Sequence, residues 1–130
     1  MIKELQRAVR RWVIEHLGIE VADNKYVRCS RFCEESLELL QSLDYPKEDI
    51  YKLIDYVYSR PVGEPFQEVG GVTITLNSLC SCTGVEIDIE DAGSIELERI
   101  WQPEVVAKIQ SKQNSQLENS PLPGSPNTED

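Results

Sequence analysis

Three glutamates, Glu34, Glu35 and Glu38, lie within one short stretch of the chain. In an α-helix, Glu34 and Glu38 are one turn apart and Glu35 is three residues before Glu38, so the carboxylates are neighbours. Like charges at these spacings destabilise a helix unless water solvates them freely or a divalent cation binds them. A solvated polar helix face is the simpler of these two interpretations.

A second acidic pair, Glu64 and Glu68, follows at the same one-turn spacing. Two such pairs on facing helices would form an oxygen-lined cage of the kind that holds Mg²⁺ or Mn²⁺. Divalent cations held by carboxylates are typical of enzymes that act on phosphates. The glutamates therefore predict metal-dependent phosphate chemistry.

The charge balance limits the partners of the protein. The chain of 130 residues carries 23 acidic and 13 basic side chains, which gives a formal net charge of −10. Binding nucleic acid through its phosphates needs a basic surface, so we expect no nucleic-acid partner. The balance suits an enzyme whose metal supplies positive charge locally, and it also suits an acidic protein that mimics DNA.

The hydropathy pattern predicts a cytoplasmic protein with no membrane partner. No stretch approaches the roughly 20 apolar residues of a membrane span, and the charged N-terminus lacks an apolar signal region. The four cysteines are then expected to be reduced, and their C-x3-C and C-x-C spacings fit no common zinc site. Cys29 and Cys33 fall on the apolar side of their helix, where we expect them to be buried.

The hydrophobic periodicity predicts an all-α fold of five helices. These span residues 2–17, 25–43, 46–58, 64–83 and 88–112. Pro103 is expected to kink or split the last helix. The segment 64–83 also contains a strand-like alternation, but we find no convincing partner strand and interpret it as a helix. The domain would end at residue 112, and the polar residues 113–130 are expected to be a disordered tail.

Each predicted helix has an apolar face that we expect to be buried. The predicted faces comprise Ile2, Leu5, Val9, Trp12, Val13 and Leu17 on the first helix, Cys29, Phe32, Cys33, Ser36, Leu37, Leu40 and Leu43 on the second, and Ile50, Leu53, Ile54 and Val57 on the third. His16, the only histidine, lies near the first of these faces. Because no second histidine or cysteine is spaced to join it on a metal, we interpret His16 as a packing residue.

The order of these motifs resembles a known family. Glu34-Glu35-x-x-Glu38 is followed on a later helix by Glu68, and further phrases lie between residues 25 and 112. They are Arg31-Phe32-x-Glu34-Glu35-x-Leu37-Glu38-Leu39, Asp55-Tyr56-Val57-Tyr58-x-Arg60-Pro61-Val62-Gly63-Glu64, Gln67-Glu68-Val69-Gly70-Gly71-Val72 and Glu96-Leu97-x-Arg99-Ile100-Trp101. Together they resemble the all-α nucleoside triphosphate pyrophosphohydrolases, the MazG-like superfamily, and within it a phage-associated MazZ-like branch.

The resemblance implies a fold, an assembly and an activity. The fold would be a five-helix bundle completed by assembly into a homodimer or homotetramer, in the host cytoplasm if the chain is phage-encoded. The activity would be Mg²⁺-dependent cleavage of the α–β linkage of a (d)NTP, giving the monophosphate and pyrophosphate. Mn²⁺ would be a substitute for Mg²⁺, and purine deoxynucleotides such as dGTP would be the substrates.

The resemblance also assigns roles to the acidic residues. Glu35, Glu38 and Glu68 would hold the metal, and Glu34 would be a further ligand or the base that orients the attacking water. The chain departs from the family at Gly71, which stands where the E-x-x-D motif has its aspartate. Glu64 is our first candidate for the missing ligand, followed by water or Glu34.

Four further residues are candidates for binding the substrate. Arg60, with Lys25 or Arg28, could bind the triphosphate, because arginine binds phosphate oxygens through two parallel hydrogen bonds. Asn77 is available to the base. One alternative function is that of a non-enzymatic acidic protein that binds a basic partner or mimics DNA. Another is the same metal chemistry on a related substrate, such as phosphoribosyl-ATP or dUTP.

Overall fold

The computed structural model describes residues 2–115 and Leu122, and all regular structure in this part of the chain is helical. The helices are α1 (Ile2–Leu17), α2 (Ile19–Ala22), α3 (Lys25–Ser42), α4 (Lys47–Tyr58), α5 (Pro65–Ser81), α6 (Ile89–Arg99) and α7 (Pro103–Ser115). Among the described residues, no helix combines the length and the apolar character that crossing a bilayer would need. The all-α prediction is confirmed.

The described part of the chain has seven helices where the sequence predicts five. One addition is α2, a single turn in a segment that we expected to be irregular. The other arises at Pro103, which begins α7 and so splits the last predicted helix. The strand-like segment forms α5, as we interpreted it. α7 continues past the predicted boundary at residue 112, and the rest of the predicted tail, apart from Leu122, lies outside the described residues.

The chain forms two compact units. Of the described residues, the first unit contains those up to Leu39 and those from Glu96 to Ser115, and the second runs from Leu40 to Ile95. α1, α2, most of α3 and α7 therefore belong to the first unit. The second contains α4, α5 and most of α6.

The first unit contains the buried core. Trp12, Val13 and Val27 are the buried apolar residues of the described part of the chain, with Val27 only 1% exposed. The Trp12 indole Nε1 donates a hydrogen bond of 2.8 Å to the carbonyl oxygen of Ile100, so its polar atom is satisfied. The predicted apolar face of α1 is thus confirmed at Trp12 and Val13, whereas Leu5 and Val9 of the same face are exposed.

His16 packs between two tryptophans, which agrees with its interpretation as a packing residue. Its ring centroid lies 4.8 Å from that of Trp12 and 5.0 Å from that of Trp101, which meets it edge-on. Its Nδ1 lies 2.9 Å from the carbonyl oxygen of Trp12. The Gln110 amide of α7 donates to the His16 carbonyl, so these contacts join α1 to α7.

The predicted buried face of α3 is wrong in its centre. Cys29 and Cys33 are exposed, and so are Phe32 at 58% and Leu37. Within the first unit, α3 instead directs inward the face that carries Val27. Helical periodicity locates an apolar face correctly, but it does not specify which neighbouring element covers that face.

The second unit leaves many of its apolar side chains exposed. No described residue from Leu40 to Ile95 is buried. The predicted face of α4 is exposed at Leu53, Ile54 and Val57, and α5 exposes Phe66 at 87%. Exposed apolar faces of this extent mark interaction surfaces in folded proteins.

Candidate metal and phosphate sites

Arg31 lies among the glutamates of α3 and pairs with two of them. Its Nη1 is 2.6 Å from Glu34 Oε1, and its Nη2 is 2.9 Å from Glu35 Oε2. These pairs, at the i,i+3 and i,i+4 spacings, offset the repulsion between neighbouring carboxylates. Because Arg31 already pairs with Glu35 Oε2, a divalent cation at Glu35 would bind through the free Oε1 or displace the guanidinium.

Glu34 is held by a second cation from another helix. The Lys112 Nζ of α7 lies 3.0 Å from Glu34 Oε2, so both carboxylate oxygens of Glu34 face a positive charge. The hydrogen bond from Lys112 lowers the pKa of Glu34, and the charge of Arg31 lowers it further. A carboxylate with a lowered pKa and two cationic partners is a poor proton acceptor, and it fits the role of an anchor between α3 and α7.

The Glu34 pairs predict an acid-dependent stability. A lowered folded-state pKa means that the stabilisation is complete above the ordinary value of 4.5 and is lost as the pH falls through the folded value. We expect Glu34→Gln to unfold at lower urea concentration than the wild type near neutral pH. For a partly exposed ion pair the difference should be no more than about 1 kcal/mol.

The measurement for Glu34 is a series of urea unfolding curves, followed by circular dichroism, from about pH 7 to about pH 3. The wild-type advantage should disappear toward the acid end. Glu38→Gln is the control, since Glu38 is exposed and has no ion pair among the described residues, and its unfolding midpoint near neutral pH should stay close to that of the wild type. A Glu34→Gln difference that stays constant over the series would contradict the assignment.

Glu35 and Glu38 are the carboxylates of α3 that remain accessible. The Glu35 side chain is 63% exposed and forms its ion pair with Arg31 through Oε2. After the hydrogen bond with Glu96, the charge of Glu35 also contributes to raising the pKa of Arg99. Glu38 is exposed, and within the described residues it makes no hydrogen bond or ion pair. Two exposed carboxylates one helical turn apart offer oxygen ligands to a hard cation. Among the described contacts, such a cation would disturb only the ion pair between Glu35 and Arg31.

Glu64 caps α5 and does not lie on its helical face. The helix begins at Pro65, and the Glu64 carboxylate accepts hydrogen bonds of 3.1 Å from the backbone N–H groups of Phe66 and Gln67. The expectation that Glu64 and Glu68 share one helical face is therefore wrong. Both Glu64 oxygens already satisfy donors at the helix N-terminus, which weakens its candidacy as the replacement ligand.

Glu68 follows in the first turn of α5 and lies against the preceding turn. A side chain added at Gly63 would collide with the Glu68 carboxylate. Because the carboxylate is the far end of a flexible side chain, it could move aside, so Gly63 lies close to Glu68 but does not fix its position. Gly71, one turn further on, has open space where a side chain would begin.

The four candidate substrate-binding residues differ in their contacts and exposure. Arg60 lies over the Tyr56 ring at 5.1 Å, and Asn77 donates its amide to the Thr73 carbonyl within α5. Lys25 is exposed at the start of α3. Arg28 differs from these three, because its Nε and Nη2 are buried and have no hydrogen-bond partner among the described residues.

The sequence did not predict the ion pair between Lys112 and Glu34 or the closeness of Gly63 to Glu68. A lysine near the end of a helix carries no signal of a distant glutamate, and the contact becomes visible only when α3 and α7 are packed together. Gly63 belongs to a quoted phrase, but its closeness to Glu68 depends on how the chain turns into α5.

Comparison with family models, with curated proteins and with solved structures finds no match to this chain. The link to the MazG-like enzymes therefore rests on the sequence phrases quoted above.

Proposed function

We propose that this protein is a Mg²⁺-dependent (d)NTP pyrophosphohydrolase of the MazG-like type, with purine deoxynucleotides such as dGTP as substrates. The observation that carries the proposal is the pair of accessible carboxylates on α3, Glu35 and Glu38. Their oxygen atoms suit Mg²⁺ or Mn²⁺, which prefer hard, charged ligands. The sequence motifs quoted above, and their order along the chain, are the basis on which we propose the MazG-like family.

The residues divide into ligands and supports. Glu35, Glu38 and Glu68 would hold the metal, which supplies charge stabilisation to the phosphates and an activated water. Glu34 supports α3 through Lys112 and Arg31, so we assign it to positioning in preference to proton transfer. For the triphosphate we propose Arg60 with Lys25, the exposed one of the two alternatives Lys25 and Arg28, and Asn77 toward the base.

The proposal includes assembly into a homodimer or homotetramer that completes a five-helix MazG-like bundle. Its support is the uncovered apolar surface of α4 and α5 and the exposed face of α3 around Phe32. Burial of apolar surface is the main favourable contribution to protein association, and obligate interfaces resemble a protein core. A second copy of the same chain presents the same faces and can cover them by two-fold symmetry.

Gly71 gives a direct prediction about the missing carboxylate. Because a Cβ at Gly71 meets nothing within 4 Å, Gly71→Asp can supply the family's aspartate without a collision. We expect half-maximal activity at about tenfold lower Mg²⁺, which corresponds to about 1.4 kcal/mol of binding free energy from the added carboxylate. Gly70→Asp is the matched control, since Gly70 is equally open but lies on another face of α5. Equal effects of the two substitutions would contradict the ligand geometry.

A substrate screen tests the proposed function. The eight common NTPs and dNTPs are incubated with Mg²⁺ or Mn²⁺, and pyrophosphate is resolved from orthophosphate. The proposal expects equal amounts of monophosphate and pyrophosphate from dGTP, and none in the presence of a chelator. Release of orthophosphate alone, or no turnover of any nucleotide with either ion, would reject it.

The alternative is a non-enzymatic acidic protein that binds a basic partner or mimics DNA. Its support is the net charge of −10 and the glycine in place of the family's aspartate. It predicts binding to a basic protein surface that weakens as salt increases, together with no nucleotide turnover. The regular spacing of the carboxylates along α3 and the quoted sequence motifs favour the enzyme. A protein that mimics DNA needs only acidic charge spread over its surface.

A further inference from the structure

A groove in the first unit is lined by arginines. It has a volume of about 550 Å³ and is lined by residues of α1, α2 and α3, among them Arg7, Arg10 and Arg28. A neighbouring groove of about 440 Å³ shares Arg7 and Arg10 and adds Arg11. In a chain with a net charge of −10, these two grooves bring together four of the 13 basic side chains, with Glu15 also lining the second groove.

Arg28 has an unsatisfied guanidinium. Its Nε and Nη2 are buried, and no acceptor reaches them from the described residues. Burial lowers the pKa of Arg28, and the charge of Arg31 lowers it further. A buried charged donor without an acceptor costs more than the roughly 1–3 kcal/mol of a neutral one, so folded proteins rarely retain one. A water molecule or a bound ligand must therefore supply the acceptor at these two nitrogens.

The other two arginines of the groove differ in their partners. Arg10 Nη1 donates to Asp23 Oδ1 at 2.8 Å, so its charge is already compensated. Arg7 makes no ion pair within the described part of the chain. The groove thus has two uncompensated guanidinium groups, Arg7 and Arg28, which suits an anion with several charged oxygens better than a single carboxylate.

The geometry points to an oligophosphate-binding groove at Arg7 and Arg28, which takes inorganic pyrophosphate or the phosphate chain of a nucleotide. The planar guanidinium binds phosphate oxygens through pairs of hydrogen bonds. The volume falls within the range of about 300–1,000 Å³ for small-ligand sites, and Val9 and Val13 supply an apolar wall. Because arginines and not carboxylates form this site, it binds its ligand without a divalent cation.

Calorimetric titration of the full chain in EDTA tests this site. Inorganic pyrophosphate and dGTP are expected to bind, while orthophosphate and dGMP should bind at least about tenfold more weakly because they lack the charged phosphate chain. Pyrophosphate binding without dGTP binding assigns the groove to the free product, and comparable binding of both assigns it to the shared phosphates. Failure to bind either, or a preference for dGMP, would overturn the proposal.

Substitutions separate the groove from general charge effects. Arg28→Met and Arg7→Gln should each weaken pyrophosphate binding by about tenfold or more. Arg99→Gln is the control, since Arg99 is already paired with Glu96 by two hydrogen bonds of 2.8 Å, and its affinity should stay near wild type. Unchanged binding in both groove variants, or an equal loss in Arg99→Gln, would overturn the assignment.

Arg28→Met also carries a stability signature. Replacing an uncompensated buried charge by an apolar side chain of similar length should leave the melting temperature unchanged or raise it. The stabilisation of the wild type by pyrophosphate should be absent from this variant. If Arg28→Met lowers the melting temperature while pyrophosphate still stabilises it, Arg28 has a structural role, it does not bind the ligand, and the groove proposal fails.

The groove and the hydrolase can fail independently. Glu38→Gln should keep pyrophosphate binding in EDTA while it loses Mg²⁺-dependent turnover. A wild type that binds pyrophosphate but hydrolyses no nucleotide removes the proposed enzyme and retains the groove. A wild type that hydrolyses dGTP with Mg²⁺ but binds no pyrophosphate in EDTA rejects the groove and retains the proposed enzyme.

Discussion

Glu35→Gln and Glu38→Gln should each reduce pyrophosphate release from dGTP by about 1,000-fold or more. A metal held by carboxylates contributes several kcal/mol of charge stabilisation in the transition state, and each 1.4 kcal/mol corresponds to a factor of ten in rate. Glutamine keeps the shape of the side chain but removes the charge. The measurement is the initial rate of pyrophosphate formation at saturating Mg²⁺.

The control for these variants is Glu48→Gln, which changes an exposed glutamate in the first turn of α4. It should retain the wild-type rate within about twofold, since it leaves only a weak interaction with the helix dipole. Thermal unfolding of all three variants identifies any loss of fold. Full activity of folded Glu35→Gln and Glu38→Gln would eliminate the metal site on α3.

Ile54→Asp should weaken self-association of the chain by about 30-fold or more. Ile54 lies 47% exposed on the apolar face of α4, and a charge there would have to be buried in the proposed interface. Central interface residues contribute about 2 kcal/mol or more, which corresponds to this change in the dissociation constant. Analytical ultracentrifugation over a range of protein concentrations measures the effect.

Lys52→Asp is the control for assembly, because Lys52 lies on the opposite side of α4 with its side chain 80% exposed. We expect it to leave the association constant close to wild type. Loss of assembly in both variants would indicate a general response to negative charge. A wild type that stays monomeric at every concentration would contradict the proposed interface.

The sequence predicted the helices well because their signals are local. Pro103 cannot continue a helix, and the structure begins α7 at that residue. The strand-like run in α5 shows why one local pattern was insufficient on its own. Its alternation suited a strand, but the absence of a convincing partner decided in favour of the helix that the structure contains.

Packing was harder to predict, because it depends on contacts between distant parts of the chain. Cys29 and Phe32 belong to an apolar face, yet they are exposed, whereas Val27 on another face of α3 is buried. Periodicity assigns residues to a face of a helix. Only the arrangement of the neighbouring helices decides whether that face meets another part of the same chain.

In the candidate site, too, local spacing was predictable from the sequence and contacts between helices were not. The spacing of Glu34, Glu35 and Glu38 was sufficient to place them as neighbours on one helix. It could not distinguish Glu34, which Lys112 holds from α7, from Glu38, which stays accessible. Glu64 was misplaced because its cap position depends on where α5 begins.

The most direct test of the account is binding of Mn²⁺, followed by the electron paramagnetic resonance signal of the free ion. Wild-type protein should remove Mn²⁺ from solution, and added Mg²⁺ should release it. The double variant Glu35→Gln/Glu38→Gln should leave the free signal at the level of buffer alone. Equal uptake of Mn²⁺ by the wild type and by the folded double variant would contradict the central claim that the α3 carboxylates hold the metal.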